Sequence, residues 1–202
     1  MNYLAHAFLS GADEELLVGN FIADSVRGKQ WQLYSPRIAQ GIVLHRQIDT
    51  FTDSHAVVLQ SKERLRPKYR KYAGVITDIF YDHFLAANFA QFSSFTLAQY
   101  VQHVYAVVKQ YHQILPERVN YFLPYMINQN WLLGYSELAG IRKSLTGLSR
   151  RTSFVSDMEK AADELEDYYN FFAEEFFLFF PDLQAYVQEQ LYLINLEKVK
   201  SN

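Results

Sequence analysis

The scarcity of chain-reversing residues is the feature of this sequence that most restricts its fold. Only eight Gly and five Pro occur among 202 residues, below the usual shares of roughly 7% and 5%. A β-sandwich or barrel needs many turn residues, and no segment sustains the strand-like alternation of apolar and polar side chains. We therefore predict an all-α fold, a multi-helix bundle of about seven to nine helices that forms a single domain over residues 1–202.

Helix-start signals recur along the chain and support this prediction. Ser10 and Asp13 have capping-box spacing ahead of an apolar run. Pro36 follows a serine and is typical of a first helical turn, which predicts a helix over roughly 36–50. Pro181 follows a long aromatic segment and predicts that a separate final helix begins there.

The composition excludes several classes of protein. Half of the residues are apolar, so a packed core is expected and intrinsic disorder is not. The chain contains no Cys, which excludes disulfides and thiolate metal sites and agrees with a reducing cytoplasm. Neither a signal-peptide pattern nor an apolar run of membrane-spanning length is present. We expect a cytoplasmic protein with neither a membrane nor a nucleic acid as a partner.

Two apolar segments carry unexpected charged side chains. In RIAQGIVLHRQIDTFTDSH, His45 and Asp49 are four residues apart and share one face of a helix. In GVITDIFYDHFLAANF, Asp78 and Asp82 have the same spacing, and His83 follows at once. Such stripes usually face the core, where an unpaired charge is costly.

A divalent cation would explain this accumulation. Asp24 and His6 also lie in apolar surroundings. Taken singly, such residues are commonly satisfied core histidines, helix caps or partners of an arginine. Taken together, the carboxylates would repel one another unless a cation bound among them. Mixed His and Asp ligation suits manganese, iron, zinc or magnesium. The sequence therefore predicts a metal site.

The strings LVGNFIADSVRG, GIVLHRQIDTFTD, AGVITDIFYDHFLA, WLLGY and GLSRR resemble the acyl-carrier-protein phosphodiesterases, distant relatives of the HD-domain phosphohydrolases. The resemblance runs from the N-terminal MNYLAH to FFPDL near residue 183. It implies an HD-like helical fold and a divalent metal, commonly manganese, with Mg²⁺, Fe²⁺ and Zn²⁺ as alternatives. It also implies an enzyme that hydrolyses holo-acyl carrier protein to apo-acyl carrier protein and 4′-phosphopantetheine.

The same resemblance implies metal ligands at His45, Asp82, His83 and one further Asp. Asp24, Asp49 and Asp78 all remain candidates for that position. We place Asp78 with the metal, and we expect Asp24 and Asp49 to orient the attacking water or to move its proton.

Cationic residues provide candidates for binding the phosphate and the partner. Arg27 and Arg46 are expected to bind phosphate oxygens through their guanidinium groups, and Arg150 and Arg151 are further candidates. The basic run KERLRPKYRK over residues 62–71 is the predicted docking surface for the small, acidic carrier protein. The residues assigned to docking are Arg64, Arg66 and Arg70.

Two other functions agree with the same residues. One is an HD-like phosphohydrolase that acts on a nucleotide or another small phosphodiester without a protein partner. The other is a non-catalytic helical binding module in which the carboxylates form buried ion pairs.

Overall fold

The computed structural model describes the backbone of residues 1–152 and 154–200, and the side chains of this part through residue 196. Within it the chain is all-α, as predicted, with eleven α-helices and no strand. The helices are α1 Tyr3–Leu9, α2 Glu14–Ile22, α3 Pro36–Ser54, α4 Ala56–Tyr69, α5 Ala73–Ala87, α6 Leu97–Gln110, α7 Glu117–Asn128, α8 Trp131–Gly134, α9 Leu138–Ser149, α10 Ala161–Asp167 and α11 Tyr169–Lys200. The number exceeds the prediction because short helices separate the longer ones.

The first helix starts show how local signals act. Helix α3 begins at Pro36, as predicted. Helix α2 is capped by Asp13, whose side chain accepts a hydrogen bond from the Leu16 amide at 3.0 Å. The predicted capping role of Ser10 is wrong, because its hydroxyl donates backward to the carbonyl of His6 at 2.8 Å. Helix α2 therefore begins after Asp13, whose side chain satisfies a free amide in the first turn.

The prediction of a separate final helix at Pro181 is wrong. Helix α11 continues through Pro181 without a break. The buried side chains before the proline, Phe176 and Phe180, and after it, Leu183, lie on the same core-facing side. Packing of this continuous apolar face outweighs the backbone hydrogen bond that a proline removes.

Helices α2 and α3 pack backbone against backbone through Gly19 and Gly41. A Cβ atom on Gly19 would overlap the carbonyl oxygen of Ile38, and one on Gly41 would overlap that of Leu16. Only glycine permits such a close approach. Asn20 directly follows Gly19, and His45 lies one turn beyond Gly41, so the contact brings these two polar side chains together.

Helix α5 lies in the centre of the core. The side chains of Phe80, Tyr81, Phe84 and Leu85 are fully buried, and they face different sides of the helix. Aromatic rings of α11 pack against it, including Phe176 at 5.7 Å from Tyr81 between ring centroids. Among the helices that the structure describes, none combines the length and the apolarity needed to span a membrane.

Candidate metal centre and cleft

A cleft of about 820 Å³ opens between two walls of opposite charge. The N-terminus of α1, the segment after α2, and helices α3 and α5 form one wall. Its acidic residues are Asp24, Asp49, Asp53 and Asp78. The start of α7, the residue after its end, helices α8 and α9 and the turn after α9 belong to the other wall. Its cationic residues are Arg118, Arg142, Lys143, Arg150 and Arg151.

Two histidines and two carboxylates meet at the acidic wall. One ligand atom each from His6, His45 and Asp49 lie within 4.8 Å of one another. Asp49 Oδ1 lies 3.1 Å from His6 Nε2, and Asp49 Oδ2 lies 3.1 Å from His45 Nε2. Asp24 Oδ1 lies 3.2 Å from the same nitrogen of His45. The two imidazole rings are stacked, with centroids 3.8 Å apart.

Asn20 orients both histidines from behind. Its amide nitrogen donates to the His6 carbonyl at 2.9 Å and to Ser10 Oγ at 3.0 Å, which determines the orientation of the amide. Its Oδ1 therefore faces His6 Nδ1 at 2.8 Å and His45 Nδ1 at 3.1 Å. The backbone oxygen of Asn20 also lies 2.9 Å from His45 Nδ1. Because both Nδ1 atoms donate to oxygen, both Nε2 atoms face the carboxylates.

The electrostatics of the two histidines differ. Burial alone would lower the pKa of His45, but the hydrogen bond to Asp24 and the Asp49 carboxylate outweigh it and raise the pKa to about 9. Burial and the neighbouring His45 lower the pKa of His6 to about 4. Burial disfavours the charge of Asp49, yet its contacts with both histidines hold its pKa well below the ordinary value. At neutral pH His45 is therefore protonated on Nε2 and His6 is not. A bound cation would replace that proton and could contact both Nε2 atoms.

The donor set fits a divalent metal. Nε2 of His6 is buried and has no hydrogen-bond partner, although a carboxylate oxygen lies nearby. A neutral imidazole whose Nδ1 donates to an oxygen presents its Nε2 lone pair, which is the arrangement found behind metal-ligating histidines. Two imidazoles and one or two carboxylates suit manganese, iron or zinc.

Asp82 lies away from this cluster and performs a structural task. Its carboxylate accepts hydrogen bonds from the amides of Asn2 at 3.0 Å, Leu4 at 2.9 Å and Ala5 at 3.4 Å. These are unpaired donors in the first turn of α1. Burial raises the pKa of Asp82 to about 7, although the terminal amine and the backbone donors act to lower it. Both oxygens face α1, so Asp82 supports His6 indirectly.

His83 takes no part in the cluster, because both of its ring nitrogens have other hydrogen-bond partners. Nδ1 donates to the carbonyl of Tyr135 at 2.8 Å, and Nε2 lies 3.1 Å from the hydroxyl of Tyr169. Burial lowers the pKa of His83, which favours this neutral state. The structure thus groups His45 with His6, Asp49 and Asp24, and not with Asp82 and His83.

Asp78 lines the cleft beside the cluster. Its Oδ1 accepts a hydrogen bond from the amino group of Met1 at 2.8 Å. The same amino group lies 3.9 Å from Asp49. Burial raises the pKa of Asp78. Asp78 therefore aligns the N-terminal segment next to the candidate ligands.

The arginines expected to bind phosphate lie outside the lining of the cleft. Arg46 donates to the carbonyl of Val26 at 3.1 Å. Arg27 is exposed, and its backbone amide contacts Gln30. In contrast, Arg150 and Arg151, the further candidates, lie on the cationic wall.

The cations expected to dock the partner are mostly paired with acids of this chain. Arg64 donates to Glu175 at 2.9 Å and lies over the ring of Phe171 at 4.9 Å. Arg66 pairs with Glu63. Arg70 is exposed.

Sequence reasoning did not assign His6 and Asn20 to the site. His6 stands in apolar surroundings, but its distance in sequence from His45 gives no indication that the two side chains meet. Asn20 stands in the apolar string LLVGNFI, and its burial to 0% exposure requires hydrogen-bond partners. The glycine beside Asn20 was the available signal, since it indicates a close helix contact at that position.

Comparison with known proteins gives a consistent assignment. The family model described as acyl carrier protein phosphodiesterase matches residues 1–183. The chain is 32% identical over 182 residues to an acyl carrier protein phosphodiesterase of Photorhabdus laumondii, covering 90% of this chain and 92% of the relative.

A second such phosphodiesterase, from an Enterobacter species, is 31% identical over 186 residues, covering 92% of this chain and 96% of the relative. One from Yersinia enterocolitica is 29% identical over 191 residues, covering 94% and 99%. No solved structure matches the chain at a significant level, so the HD-like architecture stays a prediction.

Proposed function

The chain belongs to the acyl carrier protein phosphodiesterase family and is a phosphoric diester hydrolase, and on that premise we propose that it uses a divalent metal to release 4′-phosphopantetheine from holo-acyl carrier protein. Water adds to phosphorus, and the bond between phosphorus and the serine oxygen breaks. The serine oxygen takes up a proton, which gives apo-acyl carrier protein.

The observation that carries this proposal is the convergence of His6, His45 and Asp49 beside the cleft, which Asp49 lines. The two histidines are buried, while Asp49 is 40% exposed and faces the cleft. A cation held by these three side chains would therefore be accessible to a phosphodiester in the cleft.

The ligands proposed for the metal are His6, His45 and Asp49, with Asp24 beside them. When bound, a divalent ion lowers the pKa of a coordinated water and polarises phosphoryl oxygens. The protein contributes orientation, because Asn20 holds both rings with Nε2 toward the Asp49 carboxylate. We propose manganese as the ion, following the family.

Asp24 is proposed as the residue that moves the proton. Its side chain is 64% exposed, and the hydrogen bond with His45 lowers its pKa. Asp24 is therefore ionised at neutral pH and can accept a proton from the attacking water.

Tyr3 supports the substrate from the same wall. Burial, with the Asp24 charge adding to it, raises the pKa of Tyr3 to about 12, while Arg118 and Arg151 act in the opposite direction. Tyr3 lines the cleft and stays protonated, so its hydroxyl can donate a hydrogen bond to a phosphoryl oxygen.

The test is incubation of the purified protein with holo-acyl carrier protein and Mn²⁺, followed by mass spectrometry of the carrier protein. We expect loss of the prosthetic group, appearance of 4′-phosphopantetheine, and inhibition by a chelator that Mn²⁺ reverses. Unchanged holo-carrier protein across Mn²⁺, Mg²⁺, Fe²⁺ and Zn²⁺ would contradict the proposal. Hydrolysis of small diesters but not of carrier protein would indicate the alternative phosphohydrolase.

A further inference from the structure

We infer that the cationic wall of the cleft, defined by Arg118, Lys143, Arg150 and Arg151, is the surface on which the acidic carrier protein docks. This inference rests on the proposed function and deepens it. It moves the docking site from the predicted run 62–71 to the opposite side of the reaction cleft.

The four residues are available to a partner. All four are exposed and line the cleft. Within the part of the chain that the structure describes, none of the four forms an ion pair with an acid. Arg151 is held in place by the Trp131 ring, 5.6 Å from its centroid. Their charge is therefore unneutralised at the mouth of the cleft.

Their neighbour Arg142 provides an internal contrast. It lies on the same wall, but its guanidinium donates to Asp163 at 2.7 Å and to Glu166 at 2.8 Å. These bonds connect α9 to α10 and leave little free charge. Arg142 therefore stabilises the wall from behind, and we exclude it from the docking set.

Most cations of the run over residues 62–71 are not available in this way. Lys62 pairs with Asp53 at 2.6 Å, and Arg64 pairs with Glu175 at 2.9 Å. Arg66 and Lys68 pair with Glu63 and Glu164. An acidic partner would have to displace these internal acids before it gained an ion pair, and that exchange yields little net free energy.

Charge complementarity specifies the kind of partner and its approach. The protein carries a net charge of −3, so its overall charge does not attract an acidic protein. The carboxylates of the opposite wall repel such a partner. A local group of free cations reverses the potential at one place and steers the encounter to it. Docking there would leave a prosthetic arm beside the cluster of His6, His45 and Asp49.

The experiment compares two triple variants that each remove three positive charges. The test variant is Arg118→Gln, Lys143→Gln and Arg150→Gln, and the control is Arg66→Gln, Arg70→Gln and Lys71→Gln. Arg151 is kept because it packs on Trp131. The Kd for apo-acyl carrier protein, which cannot react, is measured by fluorescence anisotropy from low to high NaCl concentration.

We expect the test variant to raise the Kd about tenfold at low salt, corresponding to about 1.4 kcal/mol, as three exposed ion pairs would together supply. Its Kd should depend less on salt than that of the wild type. The control variant should change the Kd less than twofold. A test variant that binds like the wild type, or a control variant that loses as much affinity, would overturn the inference.

Two more measurements separate the possible readings. If the test variant loses affinity for inorganic phosphate but keeps the wild-type Kd for apo-carrier protein, the wall binds only phosphate and the docking inference is wrong. Conversion of holo- to apo-carrier protein by the wild type is measured independently. Its failure would contradict the proposed function, whereas the binding results alone decide the docking surface.

Discussion

At the scale of single residues, Asn20 is the side chain on which the geometry of the cluster depends. It has no contact with the cleft, yet its amide oxygen lies against both imidazoles and its amide nitrogen is held by the His6 carbonyl and Ser10. One buried amide thereby determines which nitrogen of each ring faces the carboxylates. A metal site built on such rings depends on this orientation as much as on the ligands.

A matched pair of substitutions tests which histidines serve the site. We expect His6→Gln to reduce kcat/KM by more than the roughly 10–100-fold typical of residues behind metal ligands, and to reduce the bound metal after reconstitution. His83→Gln should keep the metal and retain activity within a few-fold, because His83 bonds to Tyr135 and Tyr169. Elemental analysis and steady-state kinetics measure both. Loss of metal only in the His83 variant would restore the ligand set implied by the resemblance.

The metal-free cluster predicts a pH dependence of stability. The folded protein raises the pKa of His45 from 6.5 to about 9, so it binds the proton more tightly than the unfolded chain does. This stabilisation is complete below pH 6.5 and is lost as the pH rises through 9. The lowered pKa of His6 acts below pH 6.5, outside this window.

We therefore expect the free energy of unfolding of the metal-free wild type to fall by about 1–3 kcal/mol between pH 6.5 and pH 9. The lower part of this range allows for the exposure of Asp24 and Asp49. His45→Gln should show a flatter profile in urea titrations with a chelator present. Equal slopes in the two proteins would show that His45 is not coupled to these carboxylates.

At the scale of helices, the contact between α2 and α3 places the site. Gly19 and Gly41 let the two backbones approach until each glycine faces a carbonyl oxygen of the other helix. Asn20 follows Gly19 directly, and His45 follows Gly41 by about one turn. A spacing enlarged by one methyl group would separate Asn20 from His45.

We expect Gly41→Ala to destabilise the protein by about 3 kcal/mol or more, because the obstacle is rigid backbone and not a flexible side chain. Gly147→Ala in α9 is the control, since its Cβ would enter open space. That change should be neutral or stabilising by up to about 1 kcal/mol, as Ala favours the helix. Urea unfolding followed by circular dichroism measures both. A tolerated Gly41→Ala would mean that the two helices can separate without loss.

The helical class and several helix starts were predictable from the sequence because they depend on local chemistry. Pro36 opens α3 for that reason. Pro181 gave a wrong helix start because buried side chains on both sides of it keep α11 continuous. Asp82 shows the same limit, since its three donors lie on α1, at least 77 residues away in sequence.

The candidate site was predictable in part. His45 and Asp49 share a helix, so their spacing alone placed them together. His6 joins them only through tertiary packing of α1, which no spacing rule reveals. The free or paired state of a surface cation likewise depends on acids distant in sequence, as with Arg64 and Glu175.

At the scale of the whole molecule, the cluster connects α1, the segment after α2, and α3 through polar contacts, in addition to their apolar packing. His6 lies on α1, Asp24 lies after α2, and His45 and Asp49 lie on α3. Helix α1 is itself held at its first turn by Asp82 of α5. Because these segments converge only in the folded chain, a ligand of the cluster binds the folded state and not the unfolded one.

Metal binding should therefore stabilise the entire protein. At a free Mn²⁺ concentration 100 times its Kd, linkage gives about 2.7 kcal/mol, which in a protein of this size raises Tm by roughly 5–10 °C. The rise should grow with the logarithm of the metal concentration and disappear in excess chelator. His6→Gln should lose most of the rise, and His83→Gln should keep it, although both variants remove one buried imidazole. Thermal unfolding of the three proteins across a Mn²⁺ series measures this. A Tm that does not respond to any divalent metal in the wild type would show that the cluster holds a proton and not an ion.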